Sequence, residues 1–135
     1  IFLVFSIWLI LNSYESNFKE IEDVEKKYSN QKLMSLRSNQ YKVFVNFTAD
    51  WCITCKVNEA MVFNKNSVKK TLSENNIIYL EADWTRKDPE IASVLASYGR
   101  TGVPLYLLFP VQGEPIILPQ LLTEDLLINY LNKLN

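Results

Sequence analysis

The sequence predicts an α/β fold built on a mixed central sheet with helices on both faces. Three observations carry that reading. Apolar runs and helix-periodic segments alternate in the order strand, helix, strand, helix, strand, strand, helix. The first run, Val43-Phe44-Val45-Asn46-Phe47, is almost continuously apolar, as in a strand covered on both faces. Two short strands around Gln112-Gly113 add an antiparallel pair.

The elements follow in chain order. Residues 1–11, Ile1-Phe2-Leu3-Val4-Phe5-Ser6-Ile7-Trp8-Leu9-Ile10-Leu11, are apolar but shorter than the about 20 residues that span a bilayer. They are read as the end of a transmembrane helix. An uncleaved anchor, or an apolar helix packed on the domain, are the other readings. The acid-rich flank from Glu15 to Glu25 carries no positive-inside signal and favours the non-cytoplasmic side. Residues 12–40 read as a connector with one or two short helices, in which Phe18, Ile21, Val24 and Tyr28, then Leu33, Leu36 and Arg37, recur at helical spacing. Ser29-Asn30 breaks them and caps the second.

The domain proper is placed at 41–135. Residues 42–48 form the buried strand. Residues 53–63 form a helix with Val57, Ala60, Met61 and Phe63 toward the core. A helix over 67–74 closes at Asn75-Asn76, and 77–82 is a second strand. Asp88-Pro89-Glu90 is a helix start, with an N-cap, a proline at the first position and an acid in the first turn. That helix stops at Gly99. Residues 105–109 and 115–118 are the antiparallel pair, and Thr123 caps the last helix, which buries Leu126, Leu127, Tyr130, Leu131 and Leu134.

Composition narrows the function. The chain has 135 residues, 48% of them hydrophobic, enough for one domain with a core. A net charge of -1 without a basic patch argues against nucleic acid. The absence of histidine removes His acid–base catalysis, Cys-His pairs and His-ligated metals. Two cysteines cannot close a four-thiolate zinc or iron–sulfur site. Cu(I) between two soft thiolates is an alternative, but no His or Met stands beside the pair.

Those two cysteines lie in Trp51-Cys52-Ile53-Thr54-Cys55-Lys56, where the first strand gives way to its helix. A thiolate at Cys52 meets the free N–H groups and partial positive charge of a helix start, which lower its pKa. Cys55 follows one turn later on the same face, within bridging reach. Cys52 is then the attacking thiol and Cys55 the resolving one. A structural disulfide over so short a loop would constrain little of the unfolded chain. Glu59, four residues after Cys55, shares the face and either accepts a proton from the resolving thiol or raises both thiol pKa values; an ordinary solvated glutamate is the alternative. Asn46 and Thr48 point the same way from the strand, and the Asn46 amide needs hydrogen-bond partners but cannot act as a base. Val103-Pro104, after Gly99-Arg100-Thr101-Gly102, is a candidate cis peptide whose loop would leave Val103 backbone groups for an extended partner segment. Trp51 reads as a half-exposed ring beside the sulfur, and Trp84 and Arg86 as lining the same end of the sheet.

Together these residues resemble the thioredoxin superfamily over about 40–135, a span that fits one domain. Tyr98-Gly99-Arg100-Thr101-Gly102-Val103-Pro104 looks like its cis-proline segment. Ile53-Thr54 between the cysteines and Asn46 in place of a buried Asp depart from thioredoxin itself. The stretches Val43 to Cys52, Cys55-Lys56-Val57-Asn58-Glu59, Ala82-Asp83-Trp84-Thr85 and Gly102 to Leu107 are most similar to the C-terminal periplasmic domain of the DsbD family, membrane-bound thiol:disulfide interchange proteins. The resemblance implies a thioredoxin-like fold and a protein-disulfide reductase with no cofactor beyond the Cys52–Cys55 disulfide. It also implies two partners, a transmembrane electron-donor domain and an N-terminal periplasmic acceptor domain, with the membrane reached through the N-terminal segment of an inner-membrane protein. A stand-alone anchored reductant or isomerase is the alternative.

Overall fold

The computed structural model describes residues 2–134, with the side chains of 16–24 outside that description. Helices α1 (Phe2–Lys26) and α2 (Asn30–Ser38) precede strand β1 (Lys42–Thr48). Helix α3 (Ile53–Asn58) runs into a π-helical turn, Glu59–Phe63. Then come α4 (Asn66–Glu74), β2 (Ile77–Asp83), α5 (Pro89–Ser97), β3 (Leu105–Phe109), β4 (Ile116–Ile117) and α6 (Glu124–Asn132). The sheet order is β2-β1-β3-β4, with β1 parallel to β2 and the other pairs antiparallel. This is the mixed α/β sheet that the apolar periodicity predicts.

Every side chain of β1 from Val43 to Thr48 is buried. Val43, Val45 and Phe47 pack with Leu80, Leu95 and Leu107 on the face that α2 and α5 cover. Phe44 faces the other way, against Phe63, Tyr106, Leu127 and Leu131. Its ring lies 5.6 Å from Phe63 and 5.9 Å from Tyr79, centroid to centroid. Ring pairs at that spacing add specific geometry to ordinary apolar burial.

Short polar side chains and one glycine set the helix ends. Ser29, Asp88 and Thr123 each accept a hydrogen bond from the backbone N–H three residues on, at 3.0, 3.2 and 3.2 Å. Gly99 ends α5 at φ +70°, so that its own N–H reaches Ala96 O and the Arg100 N–H reaches Leu95 O, each at 2.9 Å. These bonds satisfy carbonyls the helix would leave unpaired.

Two expectations need correction. The boundary at residue 11 and a separate short helix before Ser29 do not appear, because α1 is one helix from Phe2 to Lys26, while the second short helix, capped by Ser29, is α2. Neither Gly nor Pro interrupts α1, and Ser6 and Ser13 donate back to Phe2 O and Leu9 O, each at 2.9 Å. Residues 2–15 are exposed rather than packed on the domain. Phe18, Ile21 and Val24 lie outside the described side chains. The second correction concerns 53–63, where Val57, Ala60 and Met61 are exposed and Cys55, Asn58, Val62 and Phe63 are buried. The inward stripe follows buried Asn58. The wider π turn, closed by Asn64 N–H to Glu59 O at 2.9 Å, then brings Val62 and Phe63 into the core.

Phe44→Ala empties the centre of the aromatic cluster and should lower unfolding stability by about 3–5 kcal/mol. Urea titration checks this, and a loss below about 1 kcal/mol would contradict the packing described.

Candidate active site

The chain leaves β1 at Thr48, turns through Ala49–Trp51 and enters α3 with Cys52 as its N-cap. Cys52 and Cys55 form a disulfide with their Cα atoms 5.3 Å apart. The Cys55 N–H points at Cys52 Sγ, 3.2 Å away. A thiolate on Cys52 would therefore meet a backbone donor of the first helical turn. In this oxidised form Cys52 is 8% exposed and Cys55 fully buried. Ala49 and the half-buried Val103 close over them. The Val103–Pro104 peptide is cis, as its position after the Gly102 turn suggests.

Behind the sulfurs lies a polar cluster. Glu59 donates its N–H to Cys55 O, and its carboxylate accepts from Thr48 Oγ1 at 2.7 Å and Asn46 Nδ2 at 3.4 Å. Its other oxygen pairs with Lys56 Nζ at 3.1 Å, and Lys56 also reaches Asp50 at 3.5 Å. Partial burial lowers the Lys56 pKa, but the hydrogen bond and charge of Glu59, with Asp50, outweigh it and hold the ammonium above its ordinary value.

Asn46 is fully buried and opposes Glu81 in the β1–β2 register. Its Nδ2 also donates to Tyr79 Oη at 2.9 Å, and Tyr79 Oη donates to Glu81 Oε2 at 3.4 Å. Asn46 Oδ1 is buried without a hydrogen-bond partner among the described residues. Burial first, then the Glu59 charge, pushes the Glu81 carboxyl above its usual range. Burial also lifts the Tyr79 hydroxyl far above that of a free tyrosine. Tyr79 and Glu81 are not singled out by the sequence, which offers Thr48 only as a neighbour of Asn46 on the same strand face. Strand register alone brings Tyr79 and Glu81 to Asn46, and period-2 alternation from the two strands was the one signal able to find them.

Two further anchors were also missed. Asn58 Nδ2 donates to Tyr106 Oη at 2.8 Å and to Gln120 O at 2.7 Å, pinning the redox helix to β3 and the loop before α6. Burial pushes the Tyr106 hydroxyl up to about 12. Thr85 accepts from the Asp50 N–H at 2.9 Å through its hydroxyl and from Trp51 Nε1 at 3.1 Å through its carbonyl. Trp51, 52% exposed, packs on Trp84 with centroids 5.9 Å apart, while Arg86 is exposed beyond them. Trp51 and Ile53, beside Cys52 in the chain, are exposed, and Val57 and Met61 continue the exposed apolar positions along the helix and the π turn. Among the described residues no group of three or more acidic, cysteine or histidine side chains is placed to hold a metal.

Residues 23–110 match the family described as thioredoxin-like. The chain belongs to that family. Similarity extends to the thiol:disulfide interchange protein DsbD of Escherichia coli K12, 31% identical over 98 residues, 73% of this chain and 16% of that protein. The DsbD of Vibrio cholerae is 31% identical over 84 residues, 62% of this chain and 14% of that protein. The chain thus spans about a sixth of the curated relatives it matches. Among solved structures, the reduced DsbD C-terminal domain of Neisseria meningitidis aligns with a TM-score of 0.62 at 25% identity, covering 76% of this chain and 89% of that one. A thioredoxin-like domain with a Cys-x-x-Cys disulfide at its first strand–helix junction is built for two-electron thiol–disulfide exchange on its own sulfurs.

A half-buried glutamate with a raised pKa favours the folded state while protonated. That contribution is complete below the ordinary glutamate pKa and is lost as the pH rises through the folded value. Glu81→Gln should therefore gain stability relative to the parent between acidic and neutral pH. Urea midpoints at both pH values check this, and a constant difference would refute it.

Proposed function

We propose that this domain is a reducing module in a membrane-linked relay. In this reading it accepts electrons from a membrane-embedded domain and passes them to a periplasmic partner domain. The observation that carries the proposal is the Cys52–Cys55 disulfide at the N-terminus of α3, backed by Glu59 and roofed by Val103, in a domain similar to the DsbD C-terminal domain.

The exchange balances as follows. The Cys52 thiolate attacks one sulfur of the partner disulfide, forms a mixed disulfide and releases one partner thiolate. Cys55 loses its proton and attacks the Cys52 sulfur. The Cys52–Cys55 disulfide forms, and the second partner thiolate leaves. Two electrons reach the partner, and a donor dithiol must reduce the domain for the next cycle. The Glu59 carboxylate, one turn beyond Cys55 on the same helix, is the group assigned to take the Cys55 proton. Trp51, Val103 and Pro104 are assigned to partner contact, and Asn46 to orienting Glu59.

The apolar start of α1 is assigned to the end of a membrane-spanning helix, with the domain on the periplasmic side of the bacterial inner membrane. Among the described residues no helix is by itself long and apolar enough to cross a membrane. The coding sequence upstream of Ile1 tests this: several transmembrane helices there would support the relay. A single upstream anchor supports a stand-alone reductant or isomerase instead.

Cys52→Ser should abolish reduction of a disulfide substrate by the reduced domain, whereas Cys55→Ser should accumulate a mixed disulfide, visible on a non-reducing gel. Normal turnover by Cys52→Ser would sink the assignment. Glu59→Gln removes a negative charge beside the thiols and should lower the apparent Cys52 pKa. Thiolate absorbance against pH reads this out, and an unchanged curve returns Glu59 to a structural role.

A further inference from the structure

The sequence offers Glu59 as the one carboxylate on the redox-helix face, and Asn46 occupies the buried strand position beside it. The structure adds another acid to that patch. Glu81 sits on β2 directly opposite Asn46 in the parallel register, so its side chain leaves the same face of the sheet as Asn46, Thr48 and Tyr79. That face lies under the π turn carrying Glu59. Glu59, Tyr79 and Glu81 line one open cleft of about 490 Å³, floored by Phe44, Phe63 and Ile77.

We propose that Glu81 is a second charge-setting residue of the active site, acting with Glu59 on the protonation of the Cys52–Cys55 dithiol through the Asn46–Tyr79 hydrogen-bond chain. It is a positioning residue and touches no substrate.

The geometry supports this at each step. Tyr79 Oη accepts from Asn46 Nδ2 at 2.9 Å and donates to Glu81 Oε2 at 3.4 Å. The same Asn46 Nδ2 reaches Glu59 Oε1 at 3.4 Å. One amide and one hydroxyl therefore connect the two carboxylates. Like charges sharing a partly desolvated patch cannot ionise independently. The upward push that Glu59 exerts on the Glu81 carboxyl is the same coupling seen from the other side.

The charged surroundings of Glu81 do not cancel it. Asp83 on the same strand adds to the negative field, and Lys56 on α3 opposes it. Lys26 and Lys27 at the end of α1 share a second cleft with Glu81 and Asp83, and Lys69 of α4 lines the larger one. Lys56 divides its ammonium between Glu59 and Asp50. With these cations present, burial and neighbouring acids still hold Glu81 on the raised side. Once ionised, its charge opposes a thiolate at the helix start.

The test is the pH profile of thiol alkylation on the reduced chain. Glu81→Gln should lower the midpoint by about half a unit, or about a three-fold faster reaction below the midpoint, as for loss of one like charge acting through a partly screened interior. The same shift should appear on top of Glu59→Gln, which separates it from failure of the Glu59 assignment. Glu81→Asp, which keeps the charge, should restore the parent profile, and Glu74→Gln, on the exposed face of α4, should leave it unchanged. Should Glu81→Gln fail to fold, Tyr79→Phe provides the second variant: it removes the connecting hydroxyl and should move the midpoint in the same direction. Profiles superimposable on the parent in the folded variants would overturn the proposal, since a purely structural role would alter melting without moving the thiol midpoint.

Discussion

The hydrogen bond from Thr48 Oγ1 to Glu59, 2.7 Å long, ties the last residue of β1 to the helix that carries both cysteines. Its surroundings explain why the site stands where it does. β1 is buried on both faces, so polar groups at its end need partners from within the protein. Thr48 and Asn46 find them in Glu59 and Tyr79. Those bonds hold the redox helix at a set height over the sheet. The cysteines, at the start of the same helix, inherit that position.

Placing the sulfurs at the end of a buried strand has a chemical side as well. A disulfide packed against Ala49 and Val103 offers little surface of its own, while exposed Trp51 and Ile53 beside it suit the protein partner proposed above. Asn58 supports this arrangement from beneath by fastening the helix to β3 and to the loop before α6.

Much of this was legible in the sequence because the signals are local. Helix ends at Ser29, Asp88, Gly99 and Thr123 follow from one residue each, and the continuous apolar character of Val43–Phe47 marks a central strand. The junction of that strand with Cys52 put the thiols at a helix start. Other features are not local. A π turn has no residue signature comparable to a capping serine, so Val57 and Met61 read as core although they face solvent. Tyr79 and Glu81 look like ordinary strand alternation until register sets them beside Asn46. The length of α1 was misjudged because polar residues within a helix resemble a linker when no glycine or proline marks the difference.

Strand β2 is an edge of the sheet, and the chain between α1 and α2 covers part of it. Tyr28 donates its N–H to Glu81 O at 2.9 Å, in a one-residue parallel bridge between Lys27 and Glu81. Unpaired strand edges attract foreign strands, and proteins guard them with charge or cover. In the proposed exchange, where the domain is joined by sulfur to its partner, this cover carries particular weight. A client tethered by sulfur lingers at high local concentration, long enough for an open edge to zip onto it. With that position occupied and lysines flanking it, such a complex would be held at the sulfur end alone and could come apart when the second thiol cuts the tether.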